Sequence, residues 1–274
     1  MRILIIDDTF EAKMAIADVL GDAHEIAHAY DPDVLPGLLA TAEPFDLALV
    51  DMVFTGSKRS GLGALRILRE QPDGTRPLTL IRCSDDEANR QLHMLAAFTL
   101  FDPLALVSRR EDPKALGPLV DAIGRGEPIT SGADRYRHHG PGPAPLDELL
   151  RNPTDLAIWQ AMTRFDKRPD IARAANYAPA TVDHFIREMS PVVEKLQVRF
   201  GDSRGAADGG EHAHDAPLIR LVHFARLHKD FFRDPDLGPL LEKRWKDRPR
   251  PISVASKGVR EDRRPGRRLR GQAG

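Results

Sequence analysis

Three aspartates stand at the ends of short apolar runs. Asp7 and Asp8 follow RILII, and Asp51 follows LALV. Carboxylates brought into contact repel by roughly 4 kcal/mol per pair at ~4 Å and an effective dielectric near 20. A divalent cation offsets that repulsion, and Mg²⁺ suits a small all-oxygen site that keeps several of its waters. Asp8, Asp51 and the carbonyl of Val53 could supply its protein ligands, with Asp7 beside them. A carboxylate neutralised in this way can attack a phosphoryl group and become an aspartyl phosphate.

Such chemistry requires elements that bring residue 7 to residue 51. Short apolar runs at 2–6, 24–28, 47–50, 78–81 and 105–107 predict five strands. Stretches with helical spacing at 10–20, 32–42, 61–70, 85–97 and 113–123 predict helices between and after them. This alternation implies a doubly wound α/β fold, a five-stranded parallel sheet covered on both faces. In such sheets the active crevice lies beyond the C-terminal strand ends, where the strand order reverses. Asp7, Asp8 and Asp51 all follow those ends.

MRILIIDD, DLALVDMVF, PLTLIRCSDDE and LVSRREDPKAL, in that order, resemble the receiver domain of two-component response regulators over about residues 1–125. The resemblance implies a flavodoxin-like fold, Asp51 as phosphoacceptor and Asp7 and Asp8 as organisers of Mg²⁺. It also implies a sensor histidine kinase as phosphoryl donor, and a response that shifts the surface of the fourth helix, fifth strand and fifth helix. Two positions depart from the family pattern. Arg82 stands where Thr or Ser senses the phosphoryl oxygens, with Ser84 two residues on, and Arg109 stands where Lys is usual. Arginine can pair with phosphate but is not equivalent to a compact ammonium. A receiver fold that works without phosphate therefore stays open as an alternative.

Beyond a Gly/Pro-rich stretch at 129–146, read as a linker, the chain turns helical. Helices are predicted at 154–165, 169–175 and 179–189, with Asn176-Tyr177-Ala178 as a turn and Ser190-Pro191 as a break. The last two helices and their turn suit a helix-turn-helix, whose second helix enters the major groove of DNA. DIARAANYAPATVDHFIREM resembles the helix-turn-helix of LuxR-type regulators, and LVHFARLHKDFF resembles that family's last helix, which often dimerises. By position Ala180, Thr181, Asp183, His184 and Arg187 would face the groove or backbone, and Arg173 and Lys195 the phosphates. Leu218, Leu221, Val222, Ala225 and Phe232 are the candidates for a homodimer contact. Asp183 would repel phosphate, and 201–217 reads as an insertion.

Composition agrees with this division. Residues 1–128 hold 13 basic against 21 acidic side chains, and the rest hold 27 against 20, so the basic back half suits a polyanion such as double-stranded DNA. The opening MRILIIDD lacks the pattern of a signal peptide, no run reaches the length of a membrane span, and the single cysteine, Cys83, fits a reducing compartment. The expectation is a cytoplasmic protein with a receiver at 1–128, a linker at 129–146, a LuxR-like domain at 147–235 and a basic, disordered tail at 236–274. A protein-docking adaptor that does not bind DNA is the remaining alternative, and no enzyme activity is expected.

Overall fold

The computed structural model describes residues 1–84, 87–129, 132–201 and 216–247. The expectations for Asp85-Asp86, most of the 201–217 insertion and the tail from 248 fall outside those residues. Strands β1 (Arg2–Ile6), β2 (Glu25–Ala29), β3 (Leu47–Val50), β4 (Leu78–Cys83) and β5 (Ala105–Ser108) form one parallel sheet in the order β2-β1-β3-β4-β5. The chain leaves β1 toward β2 on one side and resumes at β3 on the other, so the order reverses between β1 and β3. Ile6 pairs with Val50, and Val50 with Ile81. The next residues along, Asp7, Asp51 and Arg82, therefore emerge side by side.

Side chains alternate across the sheet. Ile3, Ile5, Leu47, Leu49 and Leu80 meet α1 (Phe10–Leu20) and α5 (Leu116–Gly124) on one face. Leu4, Ile6, Ala48, Val50 and Ile81 meet α2 (Leu35–Thr41), α3 (Gly61–Arg69) and α4 (Gln91–Leu100) on the other. The fourth helix starts at Gln91, later than the spacing predicts, because residues Ala88–Arg90 form a 3-10 turn. Residues 91–98 of α4 are buried on every side, as expected of a helix between two layers. The expected free surface of α4, β5 and α5 is therefore covered in part: the helical half lies on α4.

That half comprises α6 (Pro145–Leu149), α7 (Pro153–Met162), α8 (Arg168–Ala175), α9 (Pro179–Phe200), α10 (Ala216–Leu227), α11 (Lys229–Phe232) and α12 (Leu237–Asp247). Trp159 is its centre, stacked on Phe232 at 4.9 Å and edge-on to Phe185 at 5.0 Å. Asn176, in the left-handed region, ends α8 and turns the chain toward α9. The helix α9 runs through Pro191 rather than breaking there. Val182, Phe185, Ile186, Met189, Val193, Leu196 and Phe200 bury one continuous stripe, which outweighs the ~3 kcal/mol that an interior proline costs.

Three further expectations are corrected. The described part of the 129–146 stretch is anchored rather than free: Tyr136 is fully buried between Phe98 and Phe200, with ring centroids 6.1 Å from each. Arg137 donates to the carbonyls of Pro103 and Leu104, and Arg199 to those of Arg135 and Arg137. Residues 237–247, assigned to the tail, form a helix that buries Leu237 and Leu241 and pairs Arg244 with Asp147 at 2.6 Å. Leu218, Leu221, Val222, Ala225 and Phe232 are spent in the chain's own core rather than offered to a second copy. Among the described residues no helix is long and apolar enough to cross a membrane.

The two halves share a single hydrophobic cluster, and a polar seam lies beside it. Asp236 accepts from Arg59 at 2.9 Å and pairs with Arg66 at 2.8 Å, and Asp234 accepts from the Ser60 hydroxyl. A Cβ at position 63 would lie 2.5 Å from Asp236 Oδ2, so glycine is what lets the carboxylate reach Arg59 and Arg66. His93 and His228 are buried at this seam, His93 edge-on to Phe231 and 4.0 Å from Asp234. Burial, then the charge of Arg90, lowers His93 to about 4, and burial above all lowers His228 to about 3.

Both histidines therefore stay neutral in the folded state while the unfolded chain takes up protons below about pH 6.5. Their contribution to stability is complete above pH 6.5 and is lost as pH falls toward 4. The buried Asp234 carboxyl, raised by burial, acts in the opposite sense, so the comparison of interest is between variants. Replacing His228 with Gln should flatten the dependence of unfolding free energy on pH between 6 and 5 by about 1.4 kcal/mol per pH unit. Urea melts across that interval measure it, and an unchanged slope would mean that His228 carries charge in the folded protein.

Candidate functional site

Asp7 and Asp8 leave β1 and Asp51 leaves β3 at the point where the strand order reverses. One oxygen from each lies within 4.8 Å of the others. Asp7 is held from its own loop, accepting from the Thr9 amide at 3.0 Å and hydroxyl at 2.6 Å. Asp8, partly exposed, accepts from the Thr55 amide at 2.6 Å and so ties the loop after β1 to the loop after β3. Close packing behind the site fixes that second loop. A Cβ on Gly61 would come within 2.3 Å of the Asp51 carbonyl.

Asp51 is 1% exposed, and among the described residues neither of its carboxylate oxygens has a hydrogen-bond partner. Burial raises its pKa to about 6; Arg109 pulls it down and Asp7 pushes it up. Arg109 Nη2 lies 3.0 Å from Asp51 Oδ2 and also pairs with Asp7 Oδ2. Arg82 Nη1 lies 3.7 Å from Asp7, and Arg90 Nη1 lies 3.8 Å from Asp51 Oδ1. Two of the three carboxylates, Asp7 and Asp51, thus face three guanidinium groups. Burial, then the charge of Arg109, pushes the Arg82 pKa down.

Buried carboxylate oxygens without hydrogen-bond partners, in an all-oxygen cluster of this spacing, fit a small hard cation. Asp7, Asp8 and Asp51 could hold such an ion through their carboxylates, and Val53, partly buried two residues beyond Asp51, is on the same loop. Ser84 follows β4, and its hydroxyl makes no hydrogen bond among the described residues. Cys83, buried beneath the site, is pushed up to about 11 by burial and then by Asp51, so it remains a thiol.

Sequence reasoning missed Arg90. No spacing rule reaches it, because the 3-10 turn at Ala88–Arg90 rather than a regular helix aims it at Asp51.

On the helix-turn-helix, Ala180 and His184 are exposed at the start of α9, and Thr181 is half-buried. Arg187 is exposed, with no ion pair among the described residues. Asp183 is paired with Arg168 at 3.1 Å, which offsets its repulsion of phosphate. Arg173 is 80% exposed at the end of α8, near Asp170 at 3.4 Å. Lys195 does not join this group. It lies 14 residues along α9 from Thr181, about 21 Å at 1.5 Å per residue, and pairs with Glu148 at 3.7 Å.

No protein-family model and no curated protein matches the chain. Among solved structures it is similar to the DNA complex of the two-component response regulator RcsB, at 15% identity and a TM-score of 0.49, over 82% of this chain and 98% of that one. It is similar also to RcsB from Salmonella enterica serovar Typhimurium bound to promoter P1flhDC with a phosphomimetic, at 14% identity and a TM-score of 0.49, over 83% and 98%. A third is the beryllofluoride-activated receiver domain of DrrB, at 17% identity and a TM-score of 0.35, over 45% of this chain and 97% of that one.

If Arg109 supplies the charge that holds Asp7 and Asp51 together, Arg109→Ala should lower stability by about 3 kcal/mol at neutral pH, the usual cost of stripping one partner from a buried pair. Millimolar Mg²⁺ should recover part of that loss in Arg109→Ala and none in Arg109→Ala/Asp8→Asn. Urea unfolding with and without the metal checks both statements.

Proposed function

We propose that the chain is a DNA-binding response regulator of a two-component system, switched by phosphorylation of Asp51. What supports this reading most is the convergence of three carboxylates where the strand order reverses, with Asp51 buried among them.

Bound by Asp7, Asp8, Asp51 and the Val53 carbonyl, Mg²⁺ would neutralise the cluster and make the phosphorus more electrophilic. Asp51 supplies the attacking oxygen. As its bond to phosphorus forms, the bond from phosphorus to the donor breaks, and the donor (a phosphohistidine of a sensor kinase, or acetyl phosphate) leaves with that electron pair. Arg82 and Arg109 then face the new phosphoryl oxygens, with Ser84 at the rim. Guanidinium groups suit that task because they pair with two oxygens at once.

The output is DNA binding through α9. Arg187 is the base or phosphate contact, with Ala180, Thr181, His184 and Arg173 around it and Asp183 held off by Arg168. Lys195 belongs to the packing on α6. A dimer would read half-sites about 34 Å apart. Its contact on α10 would use the exposed side, which carries Ile219 and His223. The protein is read as cytoplasmic and not as an enzyme in its own right.

One observation favours a second reading. Arg109 already bridges Asp7 and Asp51, and Arg82 and Arg90 stand close by. A pocket neutralised from within could hold the receiver in one state without phosphate.

Incubation with acetyl phosphate and Mg²⁺ separates the two. The first reading expects a mass gain of one phosphoryl group that Asp51→Asn abolishes; no gain in the wild type leaves the second. DNA binding is tested by a gel-shift salt series. Affinity should fall steeply with salt, and Arg187→Ala should weaken it about tenfold, or ~1.4 kcal/mol. Salt-independent retention with Arg187→Ala equal to wild type would remove DNA from the account.

A further inference from the structure

Two loops flank Asp51, and both end on the same short segment of the helical half. The loop between β3 and α3 carries Ser60, whose hydroxyl donates to Asp234, and Arg59, which donates to Asp236 at 2.9 Å. The loop between β4 and α4 ends in the 3-10 turn at Ala88–Arg90, which packs on α11. From that turn Arg90 reaches back to within 3.8 Å of Asp51, while His93, one turn on, lies against Phe231 and Asp234. Residues 228–236 therefore touch the pocket's surroundings from two independent directions.

The same segment leads to the groove-reading helix. Phe232 stacks on Trp159 at 4.9 Å, and Trp159 meets Phe185 of α9 at 5.0 Å. Phe185 lies one residue past His184 and two before Arg187. Asp234 and Asp236 are 6% and 4% exposed, so their partners cannot shift without leaving a buried carboxylate uncompensated. Close-packed contacts of this kind change between discrete arrangements rather than bend gradually.

We propose that residues 228–236 are the readout element of the Asp51 pocket, with Arg90 and Ser60 as the positioning residues that couple it to α9. The inference rests on the reading of Asp51 as the switch. Arg90 Nη1 lies 3.8 Å from Asp51 Oδ1, and its Nε pairs with Glu87 at 2.7 Å; a phosphoryl group on Asp51 adds negative charge on the pocket side of that guanidinium and draws it inward. The turn at 88–90 moves with it, and α11 and the Asp234–Asp236 bend must repack against both loops.

Hydrogen exchange of the full-length protein tests this, read for the peptides covering 51–60 and 228–236. Beryllofluoride with Mg²⁺ should protect 51–60 and change exchange in 228–236 by roughly threefold or more, within the range of local opening equilibria. Arg90→Gln should abolish the change in 228–236 while 51–60 remains protected, and Arg90→Lys should restore part of it; a merely structural arginine would not separate the two peptides. Protection of 51–60 with 228–236 unmoved in the wild type overturns the proposal. If beryllofluoride alters neither peptide, the phosphorylation reading fails, and Asp51→Asn without ligand decides the coupling alone. Loss of that charge leaves Arg90 paired with Glu87 alone and no longer drawn to the pocket; exchange in 228–236 should then rise, and an unchanged 228–236 sinks the inference. Arg66→Gln, which loosens Asp236 from the other side, must reciprocally raise exchange in 51–60.

Discussion

The structure is organised around the cost of holding like charges together out of water. Asp7, Asp8 and Asp51 approach within 4.8 Å at the sheet edge, where each charged pair costs about 3 to 4 kcal/mol at an effective dielectric near 20. Asp7 and Asp51 are almost fully buried, so water screens little of that cost. The backbone leaves no choice about the approach, because parallel pairing of Ile6 with Val50 places the two following residues side by side. The arginines answer the charge. Arg109 touches two of the carboxylates, and Arg82 and Arg90 close the remaining sides. The pocket is thus poised: near neutral as it stands, and responsive to any group that adds or removes charge.

The second organising feature is that the helical half does not hang from a tether. It lies on α4, shares one apolar cluster with the sheet, and is bolted down by Tyr136, Arg137 and Arg199. A helix buried on both sides transmits displacement, since no solvent layer absorbs it. Meanwhile the start of α9 stays exposed, so docking of the halves does not cover the candidate DNA surface.

Much of this was legible in the residues. The strands announce themselves as unbroken apolar runs because both sheet faces are covered, and the acids stand directly after them. Pro179 and Asn176 mark the turn of the helix pair. What was not legible depends on long-range packing. The 129–146 stretch has the glycines and prolines of a free linker, yet Tyr136 finds Phe98 and Phe200 far away in sequence. Pro191 reads as a break because propensity is local, whereas the stripe from Val182 to Phe200 is cooperative. Leu218 to Ala225 read equally well as an interface or a core. Arg90, Asp234 and Asp236 look like ordinary solvated charges until the fold brings them to the pocket and the seam.

Gly61-Leu62-Gly63 shows how closely the site and the seam are joined. In sequence the two glycines make no dinucleotide-binding fingerprint. In the fold each removes a Cβ that would strike something specific, the Asp51 carbonyl at position 61 and the Asp236 carboxylate at position 63. One turn of α3 is therefore pressed against the reactive loop at one residue and against the other half of the chain two residues later. At position 61 the obstacle to a Cβ is backbone, which yields only if the loop moves, whereas at position 63 it is the end of the Asp236 side chain, which turns aside only at the expense of its pairing with Arg59 and Arg66.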